Sequence, residues 1–242
     1  MIGQELVDEL RVSYLDDTKA PYNWGDPELL KFSNRAEAQA CRRAYLIIDS
    51  TTGTDGSGCP ICSFTVIPNQ AVYTLSRLVL QIERCKLDTM SVPLRPRTRD
   101  DLDALTYQWD AAVGTAGTFG TAGGDPAVVP QWFIHEAGKE LILVKTPTIN
   151  DTARMIVSRL PLADFTMNTP PEIDEHHHDG LLLWAAHLAF LKPDSDTQDL
   201  NLAAVYDNAF TQRFGPMPDA YSEKMRKMLP RQARMRPREF GS

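Results

Sequence analysis

The stretch from Leu15 to Thr52 constrains the fold more than any other part of this 242-residue chain. Asp26 can cap a helix, because its carboxylate accepts a backbone N–H left free in the first turn. Pro27 suits the first helical position, where its missing N–H leaves no partner unsatisfied. A helix is therefore predicted over 26–48. Apolar residues at three- and four-residue spacing mark its buried face, namely Leu29, Phe32, Ala36, Ala40, Ala44 and Ile47.

Polar residues and an aromatic turn accompany this helix. Residues 21–25, with the sequence Pro-Tyr-Asn-Trp-Gly, are predicted to turn the chain and pack back on the start of the helix. Several charged or polar side chains lie largely off the apolar face, namely Arg35, Glu37, Gln39, Arg42 and Arg43. The pattern is typical of a long helix with one buried face.

Three further helices are predicted. Apolar residues recur every four positions over 2–15, so this segment should pair antiparallel with the helix over 26–48. The run LLLWAAHLAFL is apolar nearly all round and predicts a buried helix over about 174–192. A last helix over about 196–214 ends at Gly215 and Pro216. The residues predicted to form the helical core are Leu29, Phe32, Ile47, Leu183, Trp184, Leu188, Tyr206 and Phe210.

The middle of the chain has the alternation of β-strands. Strands are predicted at 61–66, 72–75, 78–87 and 153–160, with a hairpin over 131–145 that turns at 136–139. Residues 88–104 are predicted to be a solvated loop with a short helical turn at 99–105. The glycine-rich segment 110–130 is predicted to be a long flexible loop, which is usually functional or disordered.

The predicted fold class is α+β. The N-terminal helix pair, 1–52, and the C-terminal helix pair, 171–215, are expected to close into one four-helix bundle. Residues 53–170 form an inserted antiparallel β domain, and 216–242 form an extended basic tail.

Charge is distributed unevenly along the chain. Residues 222–242 hold seven basic and two acidic residues, a net of +5, which leaves −12 on the rest of a chain whose total is −7. An acidic body with a basic tail is an interaction pattern. The tail could dock on an acidic protein surface, bind the phosphates of a nucleic acid, or simply be solvated. Docking on a protein is favoured. The candidate assembly-interface residues are Lys224, Arg226, Lys227, Arg231, Arg234, Arg236 and Arg238.

Composition excludes several classes of protein. The longest apolar run is shorter than the roughly 18 residues that a membrane span needs. The N-terminal sequence MIGQELVDEL lacks the apolar segment of a signal peptide. Four cysteines are too few and too scattered for a disulfide scaffold, which fits assembly in a reducing cytoplasm.

The sequence contains only weak candidates for a catalytic or metal-binding site. His176, His177 and His178 are adjacent, and consecutive helical side chains point about 100° apart, so all three cannot face one metal. Cys59 and Cys62 form a single CxxC motif. It could be half of a zinc site, a redox pair or simply part of a strand, and the strand is favoured. No phosphate-binding loop or nucleophile elbow is present. We expect no catalytic residue, no metal and no cofactor.

The order and spacing of several motifs resemble the head-to-tail adaptor (connector) proteins of short-tailed bacteriophages. The motifs cover most of the chain. They are Leu15-Asp16-Asp17-Thr18, Pro21-Tyr22, Trp24, Asp26, the Ala/Arg-rich helix that ends in Ile48-Asp49-Ser50-Thr51, Leu160-Pro161, Pro170-Pro171-Glu172-Ile173, His178, Lys192, Asp194, Phe210 and Phe214-Gly215.

The resemblance implies a structural protein of the virion rather than an enzyme. Such adaptors form a dodecameric ring under the portal protein, extend the DNA channel without sequence-specific binding, and dock a tail or nozzle protein. They act at the head–tail junction during genome ejection and are assembled in the host cytoplasm. The alternatives are another tail-completion or baseplate component, or an unrelated metal-dependent enzyme or β-sandwich ligand-binding module.

Overall fold

The computed structural model describes residues 1–105, 130–135, 139–193 and 197–223, and its fold is mixed α+β. The chain divides into two compact units. The helical unit comprises Met1–Ile48 and Arg159–Pro218, and the β unit comprises Asp49–Ser158 and Asp219–Ser242.

The helical unit contains α1 (Gly3–Glu9), a π-helix (Leu10–Leu15), α2 (Asp26–Ala44), a 3₁₀ turn (Glu175–His177), α4 (His178–Leu191) and α5 (Leu200–Phe214); α3 (Arg99–Leu105) belongs to the β unit. Helix α4 is the central element of the helical unit. It contacts α2, α5 and the N-terminal helical segment, which explains why its sequence is apolar on nearly all sides.

The N-terminal segment is not one regular α-helix. Its first turn is closed by Glu5, whose carboxylate accepts the backbone N–H of Ile2 at 2.8 Å. From Leu10 the hydrogen bonding changes to π-type, and the helix stops at Asp16, which has a left-handed φ of 49°. Apolar periodicity predicts which face is buried, but it does not report the backbone hydrogen-bond pattern and so does not predict the π-helix.

Helix α2 ends earlier than the predicted residue 48. Tyr45 adopts a left-handed φ of 53° and donates its backbone N–H to Cys41 O at 2.9 Å, which closes the last turn. The chain then becomes extended as strand β1 (Ile47–Asp49). The adjacent β-branched residues Ile47 and Ile48 favour that conformation.

The helical unit has two buried apolar clusters. Leu29 and Phe32 belong to one, together with residues of α1 and α4, and Ile47 and Phe210 belong to the other. The remaining predicted core residues are partly buried and pack against these clusters, namely Leu183, Trp184, Leu188 and Tyr206. Helix α5 begins at Leu200, because the carboxylate of Asp199 accepts the N–H groups of Asn201 and Leu202 at 2.9 and 3.0 Å.

The β unit contains two sheets. Their strands are β2 (Ser63–Val66), β3 (Val72–Thr74), β4 (Val79–Leu87), β5 (Arg95–Pro96), β6 (Trp132–Ile134), β7 (Glu140–Val144) and β8 (Asp151–Arg159). In the first sheet β8 pairs antiparallel with β2, with Ser63 opposite Arg154 and Val66 opposite Asp151, and it also pairs with β4. The second sheet has the order β3-β7-β6-β5.

The second sheet is mixed, so the prediction of an antiparallel β domain over 53–170 is wrong for one strand pair. Strand β5 pairs parallel with β6, so that Arg95 lies opposite Trp132 and Pro96 opposite Phe133. Parallel pairing needs a crossover connection, and helix α3 (Arg99–Leu105) lies within the one between these strands. Two residues, one of them a proline, carry too little alternation to predict a strand.

Helix α3 occupies the segment predicted to be a helical turn. Thr98 and Asp101 cap it reciprocally, since Asp101 N–H donates to Thr98 Oγ1 at 3.0 Å and Thr98 N–H donates to Asp101 Oδ2 at 3.3 Å. Leu102 then packs against Ile134 and Ile142 of the sheet.

Parts of two predicted loops fall outside the described residues. Of the predicted glycine-rich loop, 110–129 lie outside them, as do 136–138 of the predicted hairpin turn. Within the described part of the chain, no helix combines the length and apolar character needed to cross a membrane.

Candidate functional site

Arg11 organises the turn between the π-helix and α2. Its side chain is buried, with Nη1 donating to Asp17 Oδ2 at 2.8 Å. Nη2 donates to the Trp24 carbonyl and to Asp26 Oδ1, both at 2.6 Å. The ring of Tyr22 covers the guanidinium at 4.1 Å. One buried cation thus gathers four residues of the 15–26 motif.

Asp17 completes this cluster. Its carboxylate also accepts the backbone N–H groups of Asn23, at 3.0 and 3.1 Å, and of Trp24, at 3.2 Å. Trp24 is buried and meets Phe190 of α4 edge-on at 6.1 Å. Because both charges have hydrogen-bond partners, the Arg11 cluster fixes the shape of the turn and leaves no reactive group. Of residues 21–25, Trp24 is the buried one, and it shares an apolar cluster with Leu29 and Phe32 of α2, whereas the other four residues of the predicted turn are exposed.

Sequence reasoning missed Arg11. It follows Leu10 directly on a helix with a regular apolar face, and nothing in that local pattern separates a buried cation from a solvated one. The only signal is its position six residues before Asp17, and Lys19, which lies inside the motif, is an equally plausible cation partner by sequence alone.

Glu37 forms a second buried polar cluster. The side chain belongs to the residues placed off the apolar face, yet Glu37 is only 1% exposed. Its Oε1 accepts the backbone N–H groups of Glu172 at 2.6 Å and Ile173 at 3.1 Å. Glu172 in turn pairs with buried Arg159 and accepts the N–H of Leu162 at 2.8 Å. This cluster anchors the segment that leads into α4.

Burial controls ionisation in the Glu37 cluster. Desolvation raises the pKa of Glu37 to about 7, against the lowering effect of its two backbone donors. Burial, followed by the neighbouring Glu37 and Glu172, raises the pKa of the Cys41 thiol to about 12. Cys41 is therefore a neutral core residue rather than a nucleophile.

Arg43 was also placed off the apolar face and is also buried. Its Nη1 donates to Thr211 Oγ1 at 2.9 Å and to the Gly215 carbonyl at 3.2 Å. The guanidinium stacks over Trp184 at 4.7 Å and Phe210 at 4.8 Å. Arg43 thereby joins the end of α2 to the end of α5.

The three adjacent histidines have different environments. His176 is exposed, His177 is partly exposed, and His178 is buried with Nε2 at 3.0 Å from the Ile173 carbonyl. Burial, followed by nearby His176 and Arg213, lowers the pKa of His177. His187 lies apart, with Nδ1 at 2.8 Å from the Ala203 carbonyl. Among the described residues, no group of three or more His, Cys, Asp or Glu side chains could hold a metal ion.

The Cys59 and Cys62 pair lies at the start of the β unit. Cys62 is buried, Cys59 is partly exposed, and neither forms a disulfide. The loop before them is organised by Asp55, which accepts the N–H groups of Ser57 and Cys59, both at 2.9 Å. Hydrogen bonds from the hydroxyls of Ser76 and Ser57 lower the pKa of Asp55, so a carboxylate shapes this loop.

The surface of the helical unit has distinct chemical regions. Helix α1 exposes acidic residues, including Asp8 and Glu9, whereas α2 exposes Lys31 and Arg35. The seven candidate interface residues of the tail, from Lys224 to Arg238, lie outside the described residues.

Comparison with known proteins assigns most of the chain to one family. A model of the family described as SU10 adaptor protein matches residues 1–238. This range includes the 15–26 motif gathered by Arg11 and the segment anchored by Glu37. No curated protein matches the sequence.

Proposed function

The chain belongs to the SU10 adaptor protein family, a family of phage head–tail adaptors, and from this premise we propose that it forms a ring under the portal. It is a structural component of the bacteriophage virion at the junction of head and tail. The family match over residues 1–238 is the observation that carries this proposal.

The proposed ring is dodecameric, binds the underside of the portal, and presents its other end to a tail or nozzle protein. DNA passes through its lumen during genome ejection without sequence-specific contacts. The acidic character of the helical unit, with 17 acidic and 9 basic residues and so a net charge of −8, supports a surface that repels DNA rather than binding it. Assembly takes place in the host cytoplasm.

The proposed role needs no catalysis. The carboxylates of Asp17 and Glu37 and the guanidinium of Arg11 are hydrogen-bonded to neighbouring segments, which is the pattern of a scaffold. The proposal includes a four-helix bundle of the N- and C-terminal helix pairs, supported by the contacts of α4 with α2, α5 and the π-helix. In this arrangement 53–170 act as an inserted β domain and 216–242 as a docking tail.

The basic tail is proposed to dock on the portal or on an adjacent copy. Its candidate residues are mostly arginine, whose planar guanidinium can hold a carboxylate with two parallel hydrogen bonds. Acidic surface on the neighbour would supply the complementary charge.

The test is electron microscopy of the purified chain mixed with its portal protein. We expect a ring of this chain on the face of the portal that points away from the head. A chain that binds isolated tails and leaves the portal bare would instead identify a tail-completion or baseplate component. A chain that binds neither would contradict both functions.

A further inference from the structure

The outward face of α5 carries no charged side chain over about three helical turns, from residue 201 to residue 212. Val205 is 58% exposed and Leu202 is 40% exposed. The opposite face, with Ala203, Phe210 and Phe214, is buried. The exposed residues of this uncharged face are Asn201, Leu202, Ala204, Val205, Asn208 and Gln212.

This composition is unusual for the solvent side of a surface helix, which normally carries charged residues. The two charged residues that border the uncharged face, Asp207 and Arg213, contact residues outside it. Asp207 lies 3.6 Å from Arg43, and Arg213 donates to the His176 carbonyl at 2.8 Å. Surfaces depleted in charge and containing exposed aliphatic residues are typical of the central part of protein interfaces.

The apolar surface continues onto the end of α4. The backbone N–H of Asp199 donates to the Phe190 carbonyl at 3.2 Å, which places the start of α5 beside the end of α4. Leu191 and Leu200 follow these residues and are 39% and 61% exposed. The uncharged face is thus bordered at its N-terminal end by two further exposed leucines.

We propose that the uncharged face of α5 is a docking surface for a second copy of this chain. This inference rests on the proposed ring and names the surface that builds it. Two helical units of net charge −8 repel each other. In a ring the uncharged face meets a different surface of the neighbouring copy, and a face without carboxylates adds no like charge to that contact. The basic tail of a neighbour is a poor occupant, because its cations would be buried there without carboxylate partners.

The experiment compares two valine-to-glutamate variants of the full chain. Val205→Glu adds a charge to the uncharged face, and Val12→Glu adds the same charge at a 64% exposed valine on the π-helix. Self-association is measured by sedimentation with and without the portal protein. We expect Val205→Glu to weaken self-association about tenfold or more, because a charge buried in the interface lacks a partner. Val12→Glu should assemble like the wild type.

A second variant separates loss of docking from loss of folding. Asn208→Asp adds a charge to the same face with almost no change in size, and it should weaken self-association while the circular dichroism spectrum stays unchanged. Normal rings from both Val205→Glu and Asn208→Asp would overturn the inference. Equal loss in Val12→Glu would overturn it as well, since any added charge would then suffice.

The same measurements distinguish a wrong docking surface from a wrong adaptor function. If the wild type and Val205→Glu assemble equally on the portal, the surface is wrong and the adaptor role stands. If the wild type self-associates through α5 but never binds the portal, the surface is right and the adaptor role is wrong. A wild type that stays monomeric with and without the portal contradicts both.

Discussion

The carboxylate of Glu37 on α2 accepts the backbone N–H of Ile173 at 3.1 Å, across 136 residues of sequence. The same oxygen accepts the N–H of Glu172, so one side chain holds the segment through which the chain enters α4. Burial is the largest influence on the pKa of Glu37 and raises it. The nearby carboxylates Glu172 and Asp164 raise it further, and the two backbone donors lower it.

Glu37 should make the helical unit less stable as pH rises. Its pKa is raised to about 7 in the folded chain, from an ordinary value of 4.5, so the folded state binds the proton more tightly. This contribution is fully present below pH 4.5 and is lost as pH rises through 7. The shift corresponds to a free energy on the order of 3 kcal/mol. Chemical denaturation between pH 4.5 and 8 measures it.

Glu37→Gln is the matched variant for this prediction. The amide oxygen can still accept both N–H groups, but the side chain no longer titrates. We expect the fall in stability between pH 4.5 and 7 to become shallower than in the wild type. Glu28→Gln, on the same helix and paired with Lys192 at 2.9 Å, controls for removal of a carboxylate from α2. If the slope is the same in wild type and Glu37→Gln, Glu37 is not the titrating group.

Local pattern explains why the sequence predicts α2 but not the burial of Glu37 or Arg43. The three- and four-residue spacing identifies one apolar face, and both residues fall outside it. Their partners, Ile173 and Thr211, come from segments more than 130 residues away. Amphipathic periodicity contains no information about such partners.

The same limit applies to the 15–26 motif and to the sheets. The sequence shows that Asp17, Tyr22, Trp24 and Asp26 occur together, whereas the structure shows that Arg11 is the group that joins them. In the β unit, alternation predicts the longer strands, and the two-residue strand β5 is too short to show a period.

Arg11→Ala should destabilise the helical unit by about 3–5 kcal/mol, because it leaves Asp17 buried and without its cation. Asp17→Asn should also destabilise it, and the double variant should lose less than the sum of the two. Arg154→Ala removes an exposed pair with Asp88 at 2.7 Å and should have little effect. Denaturation of all four variants measures these differences. Additive effects of Arg11 and Asp17 would contradict their coupling.

Trp184→Ala should lower stability by about 2–3 kcal/mol, less than the roughly 3–5 kcal/mol expected for a fully buried aromatic residue, because Trp184 is partly exposed. Its ring packs on Phe210 at 5.0 Å and on His187 at 4.6 Å, with Arg43 on one face. Thermal unfolding measures the change, with Tyr221→Ala as an exposed aromatic control. Unchanged unfolding would show that Trp184 does not support the packing of α4 on α5.

Truncation after Tyr221 should separate folding from docking. The removed residues carry all seven candidate interface cations and contain two prolines, so they have little means of forming an independent core. We expect a folded chain with a normal circular dichroism spectrum that no longer joins portal-containing particles. A full-length variant with Arg231, Arg234, Arg236 and Arg238 changed to glutamine should show the same loss, because the tail keeps its length while its net charge falls from +5 to +1. If the truncated chain still forms complete rings on the portal, the tail is dispensable for assembly.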